Sequence, residues 1–341
     1  MKPLVDCLNE ENVKLKQEAS MALTEIARHS NELAKIVVDA KAIPALAKLL
    51  SHPDAKLKRR VCTCLAYIAG HTIELADDVV NSDVLRKIPD CLKDVDIRVR
   101  TNAACILKEL SRASSRHANL IMMIVGPAAI VDFVSNCSGR SRLPGIETLG
   151  FLAKGEDEDS VAKDCIKEQA HIALKDALIN EHDNEIKERA AWALGKLGKH
   201  SADHANMLAE AEILQKLLEV YTKAGSNAKL KKETKKALIK IIKQCKKVSL
   251  IEPLVQDNVD LDILTCLIDR CYQLLPQALE DKKYFLQCGG FQKLQHLKAE
   301  NGTALKETRD KINALYPPEV VQYYAPNAKE TIIKKIEEAG D

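Results

Sequence analysis

The chain has 341 residues and a net charge of +2, so charge has to be read locally rather than overall. Eleven scattered cysteines, an odd number, argue against a secreted disulfide framework and for a reducing compartment, while only 4% aromatic residues leave the core to Leu, Ile, Val and Ala. The segment MKPLVDCLNEEN lacks the apolar stretch of a secretory signal, and the longest apolar run, Leu120 to Val131, is broken by Gly126-Pro127 and too short to cross a bilayer. The expectation is a soluble, cytoplasmic protein.

The first predicted element, Pro3 to Leu8, is a short helix. The second starts at Lys14 (KLKQEASMALTEIARHS) and recurs at Lys56, Arg98, Arg140, Glu185 and Lys229, a spacing of 42 to 45 residues. The tenth residue of each copy is leucine: Leu23, Leu65, Leu107, Leu149, Leu194 and Leu238. A period in the forties identifies stacked helical repeats, each burying its apolar face against its neighbours. Between copies lie two shorter helices. Ser30 is a predicted N-cap, Glu32 to Ala40 a first helix, Pro44 to Leu50 a second, and SHPDA the turn into the third. The same signals return at Thr72 with Glu74 and at Ser201 with Asp203. In the fourth copy Pro144 is expected to delay the helix start rather than break the helix.

After Val248 the pattern loosens. Leu250 to Val255 reads as a short helix and Leu261 to Leu275 as a third helix. Lys283 to Cys288, Phe291 to Ala299 and Thr303 to Leu315 make an atypical terminal unit. Seven of the twelve aromatics lie at or beyond Tyr272, so the tail YPPEVVQYYAP is expected to fold back onto the last repeat. Pro3 to Leu8 corresponds to a repeat's second helix. The chain is therefore expected to start inside a repeat, with an apolar face open to further repeats or to self-association. The predicted architecture is all-α, with 1–315 a single solenoid of about seven to eight units, the first truncated and the last two atypical. A tail, 316–341, follows.

The unit resembles an armadillo repeat, with Pro44-Ala45-Leu46 opening one helix and Ala191-Trp192-Ala193-Leu194-Gly195 inside another. Five stretches resemble the sperm-associated antigen six family more specifically. They are HPDAKLK (52–58), RLPGIETLG (142–150), AWALGKLGKHSADHA (191–205), CGGFQKLQHLKAENG (288–302) and YPPEVVQYYAP (316–326). The resemblance implies a right-handed superhelical armadillo solenoid, the C-terminal portion of a longer protein. It implies a non-enzymatic scaffold of the central-pair microtubule apparatus in the flagellar axoneme, needed for motility. Central-pair proteins or tubulin would be the partners, with no cofactor. In one place the sequence departs from the family, which often has glycine between the first and second helices. Lys41 stands there, at an expected strain of about 1 kcal/mol.

No phosphate-cradling loop and no nucleophile elbow occur in the sequence. Cys62 and Cys64 would lie about 200° apart around a helix, which suits core packing and not a shared metal. His29, His71 and His200 recur at one repeat position, where a helix C-terminus explains them. The charge pattern says more. The first and third residues of the third helices, including Lys56, Lys58, Arg98, Arg100, Arg140 and Arg142, would form a basic rail. Residues 223–247 hold ten lysines and one acid, Glu233. Lys232, Lys236, Lys240 and Lys243 follow helical spacing opposite the leucine stripe, and Trp192, Lys196 and Lys199 extend that face from the fifth copy. Such a groove would attract acidic protein surfaces over about 8–10 Å in physiological salt.

Two other readings compete. Import-receptor grooves resemble a Trp and Asn ladder, but the corresponding positions here are Met21, Thr63, Cys105, Glu147, Trp192 and Lys236, with only Trp192 matching. Nucleic-acid binding through phosphates lacks the interleaved aromatics that base stacking needs. A cytosolic or nuclear armadillo adaptor remains the alternative to the axonemal scaffold, and no membrane contact is expected.

Overall fold

The computed structural model describes residues 1–153, 158–297 and 302–328. Among them the chain forms only helices, and the contacts divide it into two compact units, Met1–His200 and Ser201–Asp341. The part of the predicted tail from 329 onward lies outside the described residues.

The first unit opens with α1 (Lys2–Asp6) and α2 (Val13–His29). Three helices per repeat follow: α3 (Asn31–Asp39), α4 (Ala42–Leu49) and α5 (Ala55–His71), then α6 (Ile73–Val80), α7 (Val84–Leu92) and α8 (Ile97–Ala113). Next come α9 (Ser115–Ile124), α10 (Pro127–Ser135) and α11 (Leu143–Leu152), then α12 (Glu158–Lys167), α13 (Ala170–Asn180) and α14 (Asn184–Leu197). The third helices stack in order, α2 on α5, α5 on α8, α8 on α11 and α11 on α14.

The second unit contains α15 (Ala202–Glu210), α16 (Ile213–Lys223) and α17 (Ala228–Gln244), then α18 (Val248–Ile251) and α19 (Leu261–Leu274). It ends with α20 (Leu279–Gln287), α21 (Gly290–His296), α22 (Ala304–Asn313) and α23 (Pro318–Tyr324). Here α17 packs on α19 and α19 on α22. Phe291 gathers the last aromatics, with Tyr316 at 4.7 Å and Tyr324 at 5.6 Å between ring centroids.

The repeat leucines Leu23, Leu65, Leu149, Leu194 and Leu238 are fully buried and Leu107 nearly so, as the i, i+3, i+4 stripe requires. Each contributes about 1.5–3 kcal/mol by leaving water. Two kinds of cap fix where helices begin. Ser30, Thr72, Ser114 and Ser201 each accept the backbone N–H three residues on, opening the first helix of a repeat. Asn12, Asp54, Asp96, Asp183, Asn227 and Asp260 cap third helices by accepting a backbone N–H two or three residues on. Pro144 sits in the first turn of α11, whose start is delayed by a 3-10 turn over Gly139–Arg142.

Between first and second helices the backbone reverses through positive φ. Gly126 and Gly289 do so without strain, but Lys41, Gln169 and Glu212 adopt the left-handed conformation with φ of 63°, 63° and 60°. The turn expected to be strained at Lys41 therefore occurs at three non-glycine residues. No single described helix is long and apolar enough to cross a membrane. The run from Leu120 to Val131 is folded in two, with α9 and α10 bent by 83°.

Candidate protein-interaction surface

The lysine-rich surface is built on α17. Asn227 caps its start, and Leu230, Thr234, Ala237, Leu238, Ile241 and Ile242 face the core, which leaves the lysines on the remaining sides. Several are already engaged. Lys235 Nζ lies 2.7 Å from Asp260 Oδ1 and 2.5 Å from Asp262 Oδ2. Burial alone would lower its ammonium, but the hydrogen bonds to these two carboxylates outweigh that and raise it. Lys236 pairs with Glu233 at 2.8 Å and Lys247 with Glu210 at 2.6 Å. Lys231 stands over the Tyr221 ring, and Lys240 is half-buried. Lys229, Lys232, Lys243 and Lys246 are exposed and, among the described residues, carry no ion pair.

Trp192, Lys196 and Lys199 belong to the first unit. The Trp192 indole meets Phe151 edge-on at 5.0 Å and lies against Gly150, where any Cβ would collide with the ring. Lys196 Nζ is 6.0 Å from the indole centroid, a cation–π distance, so Trp192 draws this lysine onto its face. Lys199 is half-buried near the end of the same repeat.

The positions of the basic rail divide. Lys56 and Arg98 are exposed and Arg100 is half-buried. Lys58 is paired with Asp94 and Arg140 with Asp183 and Glu185, at 2.9 and 2.7 Å. Arg142 is 3% exposed and turned inward to Asp176, Glu181 and the Val134 carbonyl. The 3-10 turn that displaces the start of α11 is what takes Arg140 and Arg142 off the helix. In the first unit two of the caps also hold one cation of the preceding repeat: Asp96 pairs with Arg59 and Asp183 with Arg140.

Other chemical groups are occupied structurally. Ser114 Oγ is 2.9 Å from His117 Nδ1, and His117 Nε2 is 2.9 Å from Asp77 Oδ1. These distances match a hydroxyl–imidazole–carboxylate relay, but the hydroxyl also accepts the His117 N–H as an N-cap and the imidazole is fully buried. The trio pins α9 to α6. His71 donates to the Ala27 carbonyl at 2.6 Å and His200 to that of Ala153 at 2.8 Å. Each ties its repeat to the end of the preceding third helix rather than to its own. Burial pushes the Cys64, Cys165 and Cys245 thiols up to about 12, which keeps them protonated.

Comparison with known proteins agrees with this geometry. Residues 30–70 match the armadillo/beta-catenin-like repeat family. Human sperm-associated antigen 6 is 35% identical over 164 residues, and the mouse protein is 36% identical over the same length. Each match covers 48% of this chain and 32% of the relative, so the chain spans about a third of the relatives' length. A designed armadillo repeat protein solved with the peptide (KR)4 superposes with a TM-score of 0.66. It covers 70% of this chain and 98% of its own at 19% identity, a likeness of fold alone. Repeat period, helix order and structural neighbours together give this chain an all-α armadillo-repeat fold, and over about half its length it is similar to sperm-associated antigen 6.

Proposed function

We propose that the chain is a non-enzymatic interaction scaffold of the motile flagellar axoneme, holding acidic protein segments of the central-pair apparatus on its lysine-rich helix. The armadillo repeats and the sperm-associated antigen 6 relatives support a protein-interaction scaffold. The observation that carries the acidic partner is α17, where Lys229, Lys232, Lys243 and Lys246 stay exposed without an ion pair while Lys235, Lys236 and Lys247 have one. Unpaired ammonium groups lose nothing internal when they meet a carboxylate, so these four lysines of α17 keep a net attraction for acidic segments.

Co-sedimentation with microtubules tests the reading. Binding should fall when the acidic tubulin tails are removed. It should fall likewise for a Lys232→Glu, Lys236→Glu, Lys240→Glu, Lys243→Glu variant. Unchanged binding in both cases would falsify the electrostatic account. Tight, salt-resistant binding to RNA or DNA would favour a phosphate-backbone ligand instead.

A further inference from the structure

The second unit has a cleft of about 290 Å³ between α17 and α19, lined by Ile239 and Lys243 on one side. Asp262, Thr265, Cys266, Asp269, Arg270 and Gln273 line the other side. Of its two acids Asp262 is paired with a cation, whereas Asp269 meets a neutral hydroxyl and keeps its charge. Asp262 accepts from Lys235 at 2.5 Å, and Asp269 accepts the Thr308 hydroxyl at 2.6 Å. Its two cations keep donors to spare. Arg270 spends Nε on the Cys245 carbonyl at 2.7 Å and Nη1 on Gln273 Oε1 at 2.8 Å, leaving Nη2. Lys243 is exposed and, among the described residues, has no carboxylate partner. Ile239 and Cys266 supply an apolar wall between the charged groups. Burial raises the Cys266 thiol, Lys243 and Arg270 lower it and Asp269 raises it, so all three charged groups stand near this thiol.

We propose that this cleft is a carboxylate-binding subsite, seating one glutamate side chain of an acidic partner segment between Lys243 and Arg270 with its methylene stem over Ile239. The proposal rests on the acidic-partner reading above and narrows it from a diffuse lysine surface to one pocket. An arginine fork opposite a lysine point charge suits a planar carboxylate, and a half-enclosed site strengthens each charge-assisted hydrogen bond relative to open water. The arrangement ranks the lysines. Lys243 contributes through a shaped contact, whereas Lys229, at the start of α17, contributes only long-range attraction.

The test is fluorescence anisotropy of a labelled glutamate-rich octapeptide titrated with the full chain, beside an oligonucleotide of equal charge. Lys243→Gln should weaken peptide binding by roughly tenfold or more, as loss of a charge-assisted hydrogen bond does. Lys229→Gln should weaken it only about two- to threefold. Gln273→Glu adds a carboxylate that still accepts from Arg270 and should abolish binding. It leaves the Arg270 link to Cys245 intact, which Arg270→Gln does not. Equal losses for Lys243→Gln and Lys229→Gln would overturn the pocket while leaving an acidic partner standing. No peptide binding by the unaltered chain would overturn the acidic-partner reading itself. Tighter oligonucleotide binding with the same dependence on Lys243 would assign the subsite to phosphate and overturn the proposal.

Discussion

Gly150 of α11 and Trp192 of α14 are built around each other, the indole occupying the space that any side chain at 150 would fill. The pair locks two consecutive third helices at close range, and Phe151 closes the indole's edge at 5.0 Å. Gly150→Ala should therefore overpack this layer and cost the first unit about 1–3 kcal/mol. Trp192 is the chain's single tryptophan, so its fluorescence during urea unfolding reports on that unit directly. Adding Trp192→Leu should recover much of the loss, giving a coupling energy of about 1 kcal/mol or more. Independent, additive effects would show that the two residues are not in register.

The left-handed turns give the opposite sign. Lys41, Gln169 and Glu212 hold φ near +60°, where a Cβ is crowded against the backbone. Replacing any one with glycine relieves that strain but frees the unfolded chain, so the net gain should be a few tenths to about 1 kcal/mol. Ala40→Gly, one residue earlier at φ −73°, is the control and should destabilise. Thermal unfolding of the four variants decides the matter, and a loss at all three turns would contradict the geometry.

What the sequence reveals and what it conceals follow from the reach of the interactions. Buried leucines and hydroxyl caps act within one or two turns of their own helix. For that reason Leu23 to Leu238, Ser30, Thr72 and Ser201 were all legible as period and cap. The fate of a surface cation depends on the next repeat, about forty residues away. The same spacing pattern therefore covers an exposed Lys56, a paired Arg140 and a buried Arg142. Arg270 was hidden for the same reason: nothing in its own helix announces that Lys243 lines the opposite wall.

Arg142 and Arg140 separate a buried ion pair from a surface one. Arg142 joins Asp176 and Glu181 at 2.9 and 3.0 Å while almost fully enclosed. Arg142→Ala should cost about 3 kcal/mol, since it strands Glu181 beside the core as well as removing packing. Arg142→Met, which keeps the side-chain volume, should cost less. Arg140 is 71% exposed, so Arg140→Ala should change stability by less than about 1 kcal/mol despite its two acidic partners. Urea midpoints read by Trp192 would show the ranking, and a larger effect at Arg140 would refute it.

Two pH windows should be separable in the first unit. His171 is buried with Nδ1 lacking a hydrogen bond, and burial lowers its pKa below the ordinary histidine value. The unfolded chain then takes up a proton that the folded chain resists. Stability should fall as pH drops below about 6.5, until the folded pKa is reached. His171→Leu removes the group, so the difference between the two proteins should grow from pH 7 toward pH 5. The carboxylates act lower. Burial raises Asp94, but the hydrogen bonds from Lys58 and the Asp96 N–H and the charges of Lys58 and Arg100 together outweigh this, and Asp183 is held down by the Glu185 N–H and then by Arg140. Both keep their contribution above about pH 4 and lose it as pH falls through their depressed values. Asp94→Asn should therefore flatten only this acid limb, leaving the slope between pH 5 and 7 as it was. If His171→Leu instead altered the limb below pH 4, the desolvated imidazole would not be the group that titrates in the upper window.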